Sequence, residues 1–260
     1  MKRWGMAIDL ERCVGCQTCT MTCKVENSLP PGTYWARVLK EEIGTYPNAR
    51  MVSLPVLCMH CEEPPCVPVC PTGASRKRED GIVWIDYDTC IGCRYCMQAC
   101  PYEARNFHAD MVGYLENETP YERITRTVLG KGPQQGTVSK CNFCMERVDA
   151  GRDPACVETC LGKARIFGDL NDPASEVAGL LRDRDHAVLH PEAGTRPSVF
   201  YLTEIDPSML NVLVAKFSDG TPDGAAGGAD APSGDRSCGS GGGAGGGSGC
   251  ACSQAGRRAG

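Results

Sequence analysis

The chain has 260 residues, 27 Lys and Arg against 32 Asp and Glu, and a formal net charge of -5. That balance excludes a binder of nucleic-acid backbone, which needs a positive surface. No run approaches the ~18–20 apolar residues of a membrane-spanning helix; the best, Met209 to Phe217, is short and follows Glu204 and Asp206.

From the N-terminus, MKRWGMAIDLERC runs straight into cysteines with no apolar leader, so no signal peptide of its own is expected. GMAIDL alternates as a strand does and leads to Cys13, Cys16, Cys19 and Cys23, spaced C-x2-C-x2-C-x3-C. An insertion from Lys24 to Leu57 carries the turn signal Pro30-Pro31-Gly32 and no long helical period. MVSLPVL then reads as a degenerate strand before Cys58, Cys61, Cys66 and Cys70, whose middle gap is four. GIVWIDY repeats the first strand and leads to Cys90, Cys93, Cys96 and Cys100, again with the first spacing. A second insertion, Tyr102 to Lys140, contains Gly130-Lys131-Gly132-Pro133. GTVSK precedes Cys141, Cys144, Cys156 and Cys160, with a middle gap of eleven. The segments Thr72-Gly73-Ala74, Glu103-Ala104-Arg105 and Lys163-Ala164-Arg165 are expected as short helical stretches, each followed by a strand. Residues 171–184 read as an amphipathic helix with Val177, Leu180 and Leu181 on one face. From Ser218 onward the chain is a Gly-, Ala- and Ser-rich tail whose composition forms no core.

The quartets carry the chemistry. A ferredoxin run of this kind gives three thiolates to one [4Fe–4S] cluster and the fourth to another, so four quartets imply four cubane clusters. A glycine between the first two cysteines, Gly15 or Gly92, supplies the permissive backbone a chain needs to wrap a cluster. Zinc sites use two C-x2-C pairs across a spacer, and disulfide frameworks belong to short secreted chains, so both fit poorly. Pro71 and Pro101 follow the middle quartets, as in two-cluster ferredoxins, whereas Lys24 and Leu161 follow the outer ones. The middle pair therefore reads as one two-cluster unit and the outer pair as another. The expected fold is α+β, tandem ferredoxin-like. Residues 1–50 plus 136–217 form the outer unit, 51–135 the inner unit with its insertion, and 218–260 the tail.

Other residues read more blandly. His60 lies inside a quartet but is expected on loop surface rather than as a ligand, and His108, His186 and His190 have no metal-ligand spacing. Arg76-Lys77-Arg78 reads as a solvated charged turn, and Trp84 and Tyr95 as core or shielding packing. Cys238, Cys250 and Cys252 in the tail have poor cluster spacing; the tail is expected to wrap a partner and to hold no iron.

The order of quartets (standard, x4-expanded, standard, x11-expanded), with HCEEPPCVPVCPTGA (60–74), CIGCRYCMQACPY (90–102) and CKVEN (23–27), resembles the four-cluster iron–sulfur subunit of the DMSO reductase family of molybdopterin oxidoreductases, over roughly residues 5–203. Within it, the likeness is to subunits serving polysulfide, thiosulfate, tetrathionate, arsenate or sulfite enzymes. The resemblance implies a non-catalytic component that carries electrons from or to a molybdenum or tungsten pterin catalytic subunit, with a quinone-reactive integral membrane subunit at its other side. It implies membrane association through those partners, on the extracytoplasmic face after export with the catalytic subunit or else in the cytoplasm. It also implies exchanged fourth ligands: Cys13, Cys16 and Cys19 with Cys160; Cys141, Cys144 and Cys156 with Cys23; Cys58, Cys61 and Cys66 with Cys100; Cys90, Cys93 and Cys96 with Cys70. Some relatives lose the second cysteine of the third quartet and hold a three-iron cluster; here that position is Cys93. The alternatives are a free-standing polyferredoxin and the iron–sulfur subunit of a formate dehydrogenase or hydrogenase.

Overall fold

A strand enters each cysteine loop, and a short strand leaves each of the last three. In this computed structural model the described residues are 1–114, 119–125, 132–205 and 207–218. The chain divides into two compact units, 1–229 and 230–260. The second unit, with Cys238, Cys250 and Cys252 and the tail expected to wrap a partner, lies outside the described residues.

Strand β1 (Trp4–Asp9) runs parallel to β10 (Val199–Leu202) and antiparallel to β8 (Arg165–Asp169), and β9 (His186–Ala187) completes a four-stranded sheet in the order β8-β1-β10-β9. The strand entering the first quartet is thus zipped to the strand leaving the fourth. Strands β4 (Ser75–Lys77) and β5 (Val83–Ile85) form an antiparallel pair joining the exit of the second quartet to the entry of the third. Likewise β6 (Asn106–Phe107) pairs with β7 (Val138–Ser139) between the third and fourth.

The first insertion folds into a hairpin of β2 (Ala36–Ile43) and β3 (Arg50–Leu57), in register from Ala36↔Leu57 to Ile43↔Arg50. This hairpin straddles residue 50, where the sequence reading places a junction. The largest apolar cluster draws on both sides of that junction, with Met6, Ile8 and Tyr201 packed together with Leu54, Met59 and Ile82.

Helix α1 (Thr18–Glu26) carries Cys19 and Cys23 one turn apart on one face. Single turns α2 (Tyr95–Gln98) and α5 (Ala155–Glu158) sit in the corresponding place before Cys100 and Cys160. Two further short helices are α3 (Pro120–Arg123) and α4 (Met145–Asp149). Helix α6 (Glu176–Asp183) matches the amphipathic reading: Val177 is fully buried, with Leu180 and Leu181 packed beside it. Helix α7 (Pro207–Ser218) closes the described chain.

The expected helical stretches after the quartets are instead turns. The residue three past each last cysteine, Gly73, Glu103 or Lys163, adopts φ of 67°, 49° or 48°. A left-handed residue stops a right-handed helix and turns the chain into the exit strand. Helical turns therefore precede the fourth cysteine rather than follow it.

Candidate iron–sulfur site

Each loop begins the same way, with a left-handed residue directly before the second cysteine. In the first and third quartets it is Gly15 and Gly92, each at φ 65°; in the second and fourth it is His60 at 43° and Phe143 at 54°. This turn bends the first two cysteines around a common centre. The x3 gap then puts the third and fourth cysteines about 6 Å apart along a helical turn, so they can reach two different centres.

The thiols gather across the sequence. Cys13 faces Cys19 and Cys160, and a recess is lined by Cys13, Cys16, Cys19 and Cys160. Cys23 faces Cys141, Cys144 and Cys156, and those four line a second recess. Cys61 faces Cys58, Cys66 and Cys100. Cys96 faces Cys66 and Cys70, while Cys90 packs against the apolar cluster that holds Cys66 and Cys96. Cys141 faces Cys58, and Cys156 faces Cys19, so neighbouring groups lie close enough to feel each other's charge. Nine of the sixteen quartet thiols are buried; only Cys16 and Cys93 are exposed.

Burial first, then neighbouring thiols, raises the pKa of Cys23, Cys61, Cys141 and Cys144 and favours their protonated form when no cation is near. Burial first, then Cys58, pushes Cys61 up to about 12; burial and Cys156 push Cys144 up to about 11. Thiolate ligation therefore needs positive charge inside the site, which iron supplies. Backbone donors help at the margins: Ser75 N–H donates to Cys70 Sγ at 3.4 Å and Ala164 N–H to Cys160 Sγ at 3.3 Å. At Cys70 burial works upward, yet the Ser75, Thr72 and Ala74 amides and the Thr72 hydroxyl outweigh it and lower the pKa.

The donor set fits cubane clusters rather than single ions. Among the described residues no three His, Cys, Asp or Glu side chains converge on one metal ion. Zinc needs sulfurs drawn in to about 2.3 Å; a cubane holds its thiolates farther apart, around its own volume. One guanidinium group points the same way. Arg105 is only 4% exposed, yet its Nε and Nη1 have no hydrogen-bond partner, and it faces the thiols of Cys66, Cys96, Cys58 and Cys100. Cluster sulfides and thiolates are the acceptors such donors require. The residues present therefore fit the group, which supplies one-electron redox chemistry when bound.

Several sequence readings need correction. His60 is fully buried, not on a loop surface; its Nδ1 accepts the Val83 N–H at 3.1 Å, which fixes the ring. Arg76 and Lys77 are solvated as expected but lie in strand β4 rather than a turn, and Arg78 pairs with Asp80 and Asp149 at 2.8 and 2.7 Å. Tyr95 is 58% exposed rather than packed; Trp84 is half-buried beneath the Arg76 guanidinium, 5.7 Å from its ring centre. His108 is buried with Nε2 2.6 Å from Ser139 Oγ. His186 is exposed, and His190 contacts Glu192 at 2.8 Å.

Sequence reasoning overlooked Arg105 and Arg165. Arg165 is also 4% exposed; it donates from Nη2 to Cys19 Sγ at 3.5 Å and from Nη1 to Cys156 Sγ at 3.9 Å. The signal was present: each arginine follows the last cysteine of its quartet by five residues.

Comparison with known proteins agrees with this geometry. Residues 49–126 and 114–170 match the 4Fe-4S dicluster domain, and residues 4–25 a 4Fe-4S binding domain; together these segments contain all four quartets. The selenate reductase B subunit of Mesobacillus selenatarsenatis is 48% identical over 212 residues, covering 77% of this chain and 72% of that protein. The tetrathionate reductase B subunit of Salmonella typhimurium is 45% identical, covering 82% and 77%. The chain belongs to the iron–sulfur B-subunit family of DMSO reductase-type oxidoreductases. The arsenate respiratory reductase iron–sulfur subunit of a Shewanella species is 40% identical over 96% of its own length. As a member of that family, this protein carries four [4Fe–4S] clusters and transfers electrons; it is not a catalyst by itself.

Proposed function

We propose that this protein relays electrons between a molybdopterin catalytic subunit and a quinone-reactive membrane subunit, through four clusters in one file. The ligand sets are Cys13, Cys16, Cys19 and Cys160; then Cys141, Cys144, Cys156 and Cys23; then Cys58, Cys61, Cys66 and Cys100; then Cys90, Cys93, Cys96 and Cys70. The outer unit, 1–50 plus 136–217, holds the first two sets, and the inner unit, 51–135, the last two.

The observation that carries the reading is the gradient of burial along that file. The two middle sets meet through Cys58 and Cys141, both buried. Each end set has one exposed cysteine, Cys16 or Cys93, with exposed apolar residues beside it: Val14 and Leu161 at one end, Ile91 and Tyr95 at the other. Exposed apolar residues near a redox centre favour protein docking, and two such ends suit two partners better than one diffusing shuttle. Among the described residues no helix is long and apolar enough to cross a membrane. We place the protein at the membrane through its partners, on the extracytoplasmic face.

Anaerobic purification from the native source tests the relay. A stoichiometric complex with a pterin-containing subunit is expected, and Val14→Glu or Ile91→Glu should each release one partner while the clusters stay intact. Elution of the wild-type chain alone near its 27.8 kDa mass would instead mark a free polyferredoxin.

A further inference from the structure

The two buried arginines repeat one another more closely than the strands around them do. Arg105 lies five residues past Cys100, directly before β6; Arg165 lies five past Cys160 and opens β8. Arg165 reaches Cys19 and Cys156, the third cysteines of the first and fourth quartets. Arg105 faces Cys66 and Cys96, the third cysteines of the second and third, together with Cys58 and Cys100. Each guanidinium therefore stands between the two quartets of one pair. Among the described residues no carboxylate neutralises either one: Arg105 donates from Nη2 to Ser75 Oγ at 2.8 Å, and Arg165 from Nη1 towards Met6 Sδ at 3.6 Å. A buried, permanently charged side chain without a counter-anion is costly, so the anion it answers is the cluster pair itself.

We propose that Arg105 and Arg165 are positioning residues that set the reduction potentials, each holding one fixed positive charge between two clusters and raising the potentials of both. The proposal rests on the pairing of quartets described under the proposed function. Reduction adds one electron to a cluster already made anionic by its thiolates. A cation fixed in a low-dielectric interior stabilises that extra charge far more than a solvated one does. Because one guanidinium serves two clusters, both members of a pair move together when it is lost. The guanidinium fork also spreads its N–H donors over sulfurs on both sides, which an ammonium does only in part.

The test is an EPR-monitored redox titration of the anaerobic holoprotein, with iron content measured on the same samples. Signals are assigned to pairs with Cys70→Ser and Cys160→Ser. Arg105→Gln should lower the midpoint potentials of the two clusters in the Cys58-to-Cys100 pair and leave the other two in place. Arg165→Gln should do the converse. Arg105→Lys, which keeps the charge, should return the first pair toward wild-type potentials. Unmoved potentials at full iron content overturn the proposal, as does an equal shift of all four clusters or an Arg105→Lys protein that behaves like Arg105→Gln. If Arg105→Gln loses iron, Arg105→Lys decides: clusters retained at near wild-type potentials support the charge, and their loss there refutes it. If Cys70→Ser perturbs the Cys58, Cys61 and Cys66 cluster instead of its partner, the ligand exchange fails. The arginine result still stands, because Arg105 faces thiols of both quartets.

Discussion

The imidazole of His60 stacks on the ring of Phe143, centroids 3.6 Å apart and planes 15° from parallel. The two residues occupy the same place in the second and fourth quartets, where the first and third have glycine. Both are fully or almost fully buried, at the point where Cys58 and Cys141 meet. A left-handed backbone is unfavourable for both side chains, and the stacked pair offsets that cost by joining the two middle loops. His60→Ala removes an aromatic contact of about 0.5–1.5 kcal/mol and orphans the Val83 N–H, about 1–3 kcal/mol more. We expect a loss of at least ~1.5 kcal/mol in anaerobic chemical unfolding; an unchanged midpoint would show that the stack contributes nothing.

The glycine loops differ from each other in what surrounds them. A Cβ on Gly92 would sit 2.1 Å from the Gly136 carbonyl oxygen, a backbone atom, whereas one on Gly15 would meet the ends of the Ser53 and Lys40 side chains. Side chains can swing away and a strand-entry backbone cannot. Both alanine variants carry the left-handed penalty of about 1–3 kcal/mol, but Gly92→Ala should lose iron and melt earlier than Gly15→Ala. Equal effects would mean that the segment at Gly136 yields freely.

Acid sensitivity has a separate source in His108. Burial pushes its pKa down from 6.5 to about 4, so the native ring stays neutral while the unfolded ring takes up a proton below 6.5. Its contribution to stability is complete above pH 6.5, is lost as pH falls from there toward 4, and changes no further below that. His108→Gln should flatten this part of the stability profile. Parallel wild-type and variant profiles between pH 6.5 and 4 would remove His108 from the account.

The cysteine loops were legible in the sequence because their chemistry is local: spacing dictates which thiols lie a turn apart, and Gly15 and Gly92 mark the bend. Strands β1, β3, β5 and β7 were legible for a related reason, since each runs directly into a quartet. What escaped was set by tertiary contact. The β2–β3 hairpin alternates weakly, with charged Lys40, Glu41 and Glu42 near its tip, and is stabilised by burial of Val38, Leu39 and Leu54. His60 looked like loop surface because nothing local reveals that Phe143, 83 residues later, covers it. Arg105 and Arg165 entered the sequence reading only as members of short helical stretches, since residue type alone argues against burial; only the cluster makes an interior site for them.

Ligand exchange gives a prediction that sequence distance alone would not. Cys160→Ala should damage the cluster of Cys13, Cys16 and Cys19, whose recess Cys160 lines, and destabilise the outer unit because metal binding and folding are coupled. Cluster-resolved EPR showing loss only from the set of Cys141, Cys144 and Cys156 would refute the exchange.

Iron and acid-labile sulfide analysis of the anaerobic protein, read beside its EPR spectrum, tests the four-cluster relay most directly. Four cubanes require about sixteen irons per chain. With Cys93 present the oxidised, intact protein should show no dominant three-iron signal. About eight irons per chain, or a strong three-iron signal in undamaged protein, would contradict it.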